Sequence, residues 1–65
     1  MEFAIPDMTC GGCAKAVSRA VTSQDPAATI EVDVPVKIVR VTSTLAPHRL
    51  IEAIEAAGFH PSLND

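Results

Sequence analysis

The sequence contains no tryptophan and no tyrosine, and Phe3 and Phe59 are its only aromatic residues. So few aromatic rings provide no stacking platform for single-stranded nucleic acid. Positive charge is also scarce, because five scattered lysine and arginine residues stand against eight acidic residues, for a formal net charge of −3. A chain without a basic patch has little with which to neutralise a phosphate backbone, so we expect no nucleic-acid partner.

Long apolar runs are equally absent from the sequence. No stretch approaches the roughly 18 apolar residues of a membrane-spanning helix, so we expect no membrane insertion. The N-terminus has no basic segment followed by an apolar run, which argues against a signal peptide and for a cytoplasmic location. Because the chain starts at Met1 and ends soon after Leu63, we expect a free-standing protein rather than a piece of a transporter.

Apolar residues nevertheless make up 48% of the 65-residue chain, mostly as alanine, valine, isoleucine and leucine. That fraction is typical of a folded core rather than of a disordered segment. A chain of this length is sufficient for one small domain, which we place over residues 1–65.

The spacing of the apolar residues predicts secondary-structure elements in the order β-α-β-β-α-β. The predicted elements are strands over 2–5, 29–33, 38–42 and 59–63, a helix from Cys13 to a stop at Asp25-Pro26, and a helix from Pro47 to a stop at Gly58. This order matches the split β-α-β motif. We therefore predict an α+β, ferredoxin-like sandwich, in which two helices cover one face of a four-stranded antiparallel sheet.

This topology brings three connections to the same end of the sheet. They are the loop that contains the cysteines, the Val34–Lys37 turn, and the segment Gly58–His60 that leads into the last strand. Since the third and fourth strands flank the first in this fold, we expect the last segment to lie beside the thiols.

The two cysteines of the chain, Cys10 and Cys13, are three positions apart where a loop is predicted to enter a helix. Gly11 and Gly12 between them predict a flexible loop that can bend tightly. The N-terminus of a helix presents N–H groups and partial positive charge, which favour the thiolate form that binds metal. Two soft thiolates without a hard ligand nearby favour Cu(I) over Zn(II) or Mg(II).

Other uses of two cysteines fit the sequence less well. A zinc finger needs closely spaced histidines, whereas His48 and His60 are twelve positions apart. Haem attachment needs a histidine directly after the second cysteine, where Ala14 stands. An iron–sulfur cluster held within one chain needs about four ligands, and this chain has two cysteines. A small dithiol redox protein remains the alternative from a different functional class, since such proteins also carry Cys-x-x-Cys at the start of a helix.

The segment Met8-Thr9-Cys10-Gly11-Gly12-Cys13-Ala14, followed by Val17, resembles the metal-binding loop of the heavy-metal-associated domain. The run Leu50–Phe59 resembles the second helix of that family and the turn after it. The family occurs in copper chaperones and in the N-terminal arms of copper-transporting P-type ATPases. The resemblance implies that Cys10 and Cys13 bind Cu(I).

The same resemblance implies a non-enzymatic role and a set of partners. A metallochaperone passes its ion by ligand exchange, so the expected recipient is a copper-transporting P-type ATPase or its soluble metal-binding domain. A copper-bridged homodimer is a further expectation, since an exposed two-thiolate ion can recruit thiolates from a second molecule. The alternative within the family is that the chain is itself the soluble metal-binding domain of such an ATPase.

Four residues near the cysteines have more than one interpretation. Met8 is expected to pack inward beneath the loop rather than bind metal. Asp7 is expected to cap the loop or face solvent rather than act as a hard ligand. Phe59 stands where the family often has a polar residue, and it either shields the metal or packs in the core. His60 is a possible additional ligand or modulator, and its side chain is expected to diverge from that of Phe59.

Overall fold

Residues 1–9 and 11–64 are described by a computed structural model of the chain, so the predictions that concern Cys10 lie outside the described residues. The elements follow the predicted order. They are β1 (Glu2–Ala4), α1 (Gly11–Gln24), β2 (Thr29–Asp33), β3 (Ile38–Thr42), α2 (Pro47–Ala56) and β4 (Ser62–Leu63). No helix in the described part of the chain is long and apolar enough to cross a membrane.

The strands form one antiparallel sheet in the order β2-β3-β1-β4. Strand β1 is therefore central, with Phe3 opposite Val39 of β3 on one side and opposite Leu63 of β4 on the other. This arrangement confirms the predicted ferredoxin-like fold and the expectation that β3 and β4 flank β1.

The core lies between the inner face of the sheet and the two helices. Each helix contributes two fully buried residues that are four positions apart, as expected for an amphipathic helix with one buried stripe. Alternation along β1 and β3 turns every second side chain inward. The buried residues are Phe3, Ile5, Met8, Val17, Val21, Val39, Val41, Leu50 and Ile54.

Helix α2 has the limits that its sequence predicts. Pro47 opens it, where the missing N–H costs no hydrogen bond, because the first N–H groups of a helix have no intrahelical acceptor. Gly58 adopts a φ of 97° just after the Ala57 cap and donates its N–H to Glu55 at 2.9 Å. A positive φ is accessible to glycine at little cost, which explains the stop at this residue.

The start of α1 differs from the prediction. Gly11 and Gly12, expected as a flexible loop, form the first turn of the helix. Glycine disfavours a helix by about 1 kcal/mol relative to alanine, but packing of the apolar stripe outweighs that local preference. The second cysteine therefore lies inside the first turn rather than at its opening residue.

Strand β4 is shorter than predicted, with Ser62–Leu63 paired instead of residues 59–63. The N–H groups of the preceding residues are unavailable to the sheet. Phe59 donates to the carbonyl of Ile54 at 3.3 Å, His60 donates to the carboxylate of Asp7 at 3.2 Å, and Pro61 has no N–H. The segment 59–61 consequently runs beside β1 without joining the sheet ladder.

Candidate metal centre

Three connections meet at the end of the sheet that carries the N-terminus of α1. The N–H of Ile5, just after β1, donates to the carbonyl of Lys37 in the β2–β3 turn at 2.9 Å. On the other side of β1, Asp7 contacts His60 in the segment before β4. These contacts confirm that the turn and the β4 approach flank the segment leading to the cysteines.

Cys13 occupies the first turn of α1 and is half-buried, packed against the hydrophobic core. At this end of a helix the backbone N–H groups point away from the helix body and carry partial positive charge, which stabilises a thiolate. Thr9, Gly11 and Gly12 around it are exposed. Gly11 and Gly12, which directly precede Cys13, have no side chains that could cover its thiol. Cys10, the first residue of the predicted pair, lies outside the described residues.

Met8 is completely buried and belongs to the core cluster. Its backbone N–H donates to the carbonyl of Ile5 at 3.0 Å, which turns the chain after β1. The predicted inward packing is therefore confirmed, and the thioether serves as core volume below the segment that leads into the motif.

We expect Met8→Ala to destabilise the protein by about 2–5 kcal/mol, because it deletes a fully buried side chain. The volume-conserving change Met8→Leu should cost less than about 1.5 kcal/mol and should leave the affinity for Cu(I) within about twofold of the wild type. Urea unfolding and competition with a Cu(I) chelator measure the two quantities. A Met8→Leu protein of normal stability that binds Cu(I) much more weakly would show that the thioether is a ligand after all.

Phe59 and His60 diverge, as predicted, although the segment is not a strand. Phe59 is half-buried against the core, whereas 85% of the His60 side chain is exposed. Phe59 is therefore a packing residue in this structure, and His60 presents a polar side chain at this end of the sheet.

Asp7 makes two contacts with His60. One carboxylate oxygen accepts the backbone N–H of His60 at 3.2 Å, and the other lies 2.9 Å from ring atom Nδ1. The hydrogen bond with the His60 side chain holds the pKa of Asp7 below its ordinary value of 3.8. Sequence reasoning considered Asp7 as a cap or a solvated residue and missed this pairing. The predicted adjacency of β1 and β4 was the signal that could have revealed it.

Among the described residues, no group of three or more histidine, cysteine, aspartate or glutamate side chains is arranged to hold a metal ion. His48 is exposed in the first turn of α2, at the end of that helix remote from Gly58 and His60.

The comparisons with known proteins concern almost the whole chain. The family model described as the heavy-metal-associated domain matches residues 2–60. No curated protein matches the chain.

Several solved structures share the fold at substantial sequence identity. A trimeric form of the copper chaperone Atx1 from Synechocystis PCC6803, carrying a point mutation, superposes with a TM-score of 0.93 at 37% identity, covering 95% of this chain and 98% of that one. A gold binding protein has a TM-score of 0.91 at 39% identity, covering 94% of each chain. The N-terminal domain of PacS from Synechocystis PCC6803 has a TM-score of 0.82 at 26% identity, covering 98% of this chain and 94% of that one.

Proposed function

The chain belongs to the heavy-metal-associated domain family, and we propose that residues 1–65 form one such domain, which acts as a cytoplasmic Cu(I) metallochaperone and not as an enzyme. The observation that carries the proposal is the placement of Cys13 in the first turn of α1, directly after the exposed Gly11 and Gly12. A thiolate at a helix N-terminus that remains accessible at the surface is suited to binding a soft ion and releasing it again.

We propose Cys10 and Cys13 as the ligands of the transported ion, with His60 as an additional ligand or modulator. Thiolates favour soft ions, and Cu(I) is the soft ion whose preference for few sulfur ligands matches a two-cysteine motif. Similarity to a copper chaperone and to a gold binding protein supports a site for a soft metal ion.

Transfer of Cu(I) by ligand exchange is supported by the low coordination number of a site with two thiolates. An ion held by two thiolates can accept a third from a recipient, so the metal passes between proteins without being released into water. We propose as recipient a copper-transporting P-type ATPase or its soluble metal-binding domain, and a copper-bridged homodimer as a second use of the same exposed site. The fold occurs both in free copper chaperones and in the N-terminal domain of PacS, which supports a handover between two domains of similar shape.

An anaerobic transfer experiment tests the proposal. The protein is loaded with Cu(I), mixed with a soluble metal-binding domain that carries the same two-cysteine motif, separated from it by ion exchange, and both fractions are assayed for copper. We expect uptake of one Cu(I) per chain and redistribution within the mixing time. A second assay measures reduction of a protein disulfide. Rapid catalytic reduction combined with weak Cu(I) binding would identify a dithiol redox protein instead.

A further inference from the structure

The contact between Asp7 and His60 joins residues 53 positions apart and uses both carboxylate oxygens of Asp7. One oxygen accepts the backbone N–H of His60, so the contact holds the main chain as well as the ring. Asp7 precedes the cysteine motif by three residues, and His60 lies between the end of α2 and β4. The pair therefore links the two chain segments that border the metal site.

The chemistry of the contact decides which ring nitrogen carries the proton. An ionised carboxylate only accepts hydrogen bonds, so Nδ1, at 2.9 Å from Asp7, has to be the N–H donor. In a neutral imidazole the other nitrogen, Nε2, then holds the lone pair. Because 85% of the His60 side chain is exposed, Nε2 is accessible at the surface.

We propose that Asp7 is a positioning residue, which fixes the Nδ1–H tautomer of His60 and thereby presents Nε2 as a nitrogen ligand for Cu(I) held by Cys10 and Cys13. This role rests on the proposed function of the cysteine pair. Histidines that bind metals usually donate their second ring N–H to a carboxylate or carbonyl, which orients the ring and makes it a stronger ligand. Both oxygens of Asp7 contact His60, so the carboxylate is directed at the histidine.

The tautomer can be read directly by ¹⁵N NMR of the histidine rings in the metal-free protein. At about pH 8 we expect the Nδ1–H form for His60 and the Nε2–H form, common in water, for the exposed control His48. Asp7→Ala should convert His60 to the Nε2–H form. Asp33→Ala removes a carboxylate at the end of β2 and should leave His60 unchanged. If His60 kept the Nδ1–H form in Asp7→Ala, the proposal would be overturned.

Cu(I) affinity supplies the second measurement. We expect Asp7→Ala and His60→Ala each to weaken Cu(I) binding by roughly tenfold, the lower end of the effect seen when such partners of a ligand are removed. Because both substitutions act through the His60 ring, the double variant should bind Cu(I) no more weakly than His60→Ala does. The ¹⁵N signal of Nε2 should shift on addition of Cu(I) in the wild type and not in Asp7→Ala.

The outcomes separate the two proposals. Normal affinity in His60→Ala, or additive losses in the double variant, would overturn the positioning role while leaving the cysteine site intact. A wild-type protein that fails to take up Cu(I) would overturn the chaperone function and the ligand role of Nε2 together. Thermal unfolding of each metal-free variant shows whether a loss of affinity comes from a damaged fold, and Asp7→Asn, which keeps the side-chain shape, replaces Asp7→Ala if that variant unfolds.

Discussion

Replacing Cys13 with serine is expected to abolish tight Cu(I) binding while the fold persists. In structural zinc sites four ligands share about 10–16 kcal/mol, or roughly 2.5–4 kcal/mol for each. Loss of one thiolate at that rate corresponds to a decrease of about 10²–10³-fold in affinity. Serine is nearly isosteric with cysteine, and its hydroxyl is a hard, weakly acidic group that is a poor ligand for Cu(I).

The measurement is competition with a Cu(I) chelator under anaerobic conditions, together with far-ultraviolet circular dichroism of the metal-free protein. Cys10→Ser should have an effect of similar size, and the double variant should bind no better than either single variant. Ser23→Ala, at the far end of α1, is the matched control and should bind like the wild type. If one cysteine variant kept wild-type affinity, the two-thiolate site would be wrong.

Phe3→Ala is expected to remove most of the stability of the fold. Phe3 is fully buried in the central strand, between Val39 and Leu63 in the sheet register. Truncating a buried phenylalanine costs about 3–5 kcal/mol. A domain of 65 residues has a total unfolding free energy of roughly 3–10 kcal/mol, so a substantial fraction of Phe3→Ala molecules should be unfolded at 37 °C.

Urea denaturation followed by circular dichroism measures this loss. Val36→Ala is the control, because Val36 is 59% exposed in the β2–β3 turn and its truncation should change stability by less than about 0.5 kcal/mol. A cost below about 1 kcal/mol for Phe3→Ala would mean that the centre of the sheet is not the centre of the core. Equal losses in both variants would contradict the burial difference on which the prediction depends.

The elements that the sequence predicts correctly are those whose limits depend on neighbouring residues. Alternation defines β2 and β3 at the predicted residues, and Pro47 and Gly58 bound α2 through their own backbone preferences. The order of elements also sufficed for the sheet topology. The cysteine motif was recognisable for the same reason, since its two cysteines are three positions apart in the sequence.

The structure differs from the predictions where contacts with residues distant in the sequence determine the limits of an element. Helix α1 extends through Gly11 because its stripe packs on the core, which outweighs the weak helix preference of glycine. Strand β4 is short because two N–H groups before it are not available to the sheet. The carboxylate of Asp7 accepts the N–H of His60, and the carbonyl of Ile54 accepts the N–H of Phe59. Neither competition is visible in a local pattern of apolar and polar residues.

Sequence alone therefore determined the fold, the family and the cysteine motif, because periodicity, turn chemistry and thiol spacing are local properties. Only the tertiary structure decided two features beside the motif: a half-buried Phe59 that packs against the core, and a carboxylate at position 7 paired with the histidine at position 60. That pairing depends on β1 and β4 lying side by side. Hydrogen bonds between residues so far apart in the chain form only after the sheet has brought them together.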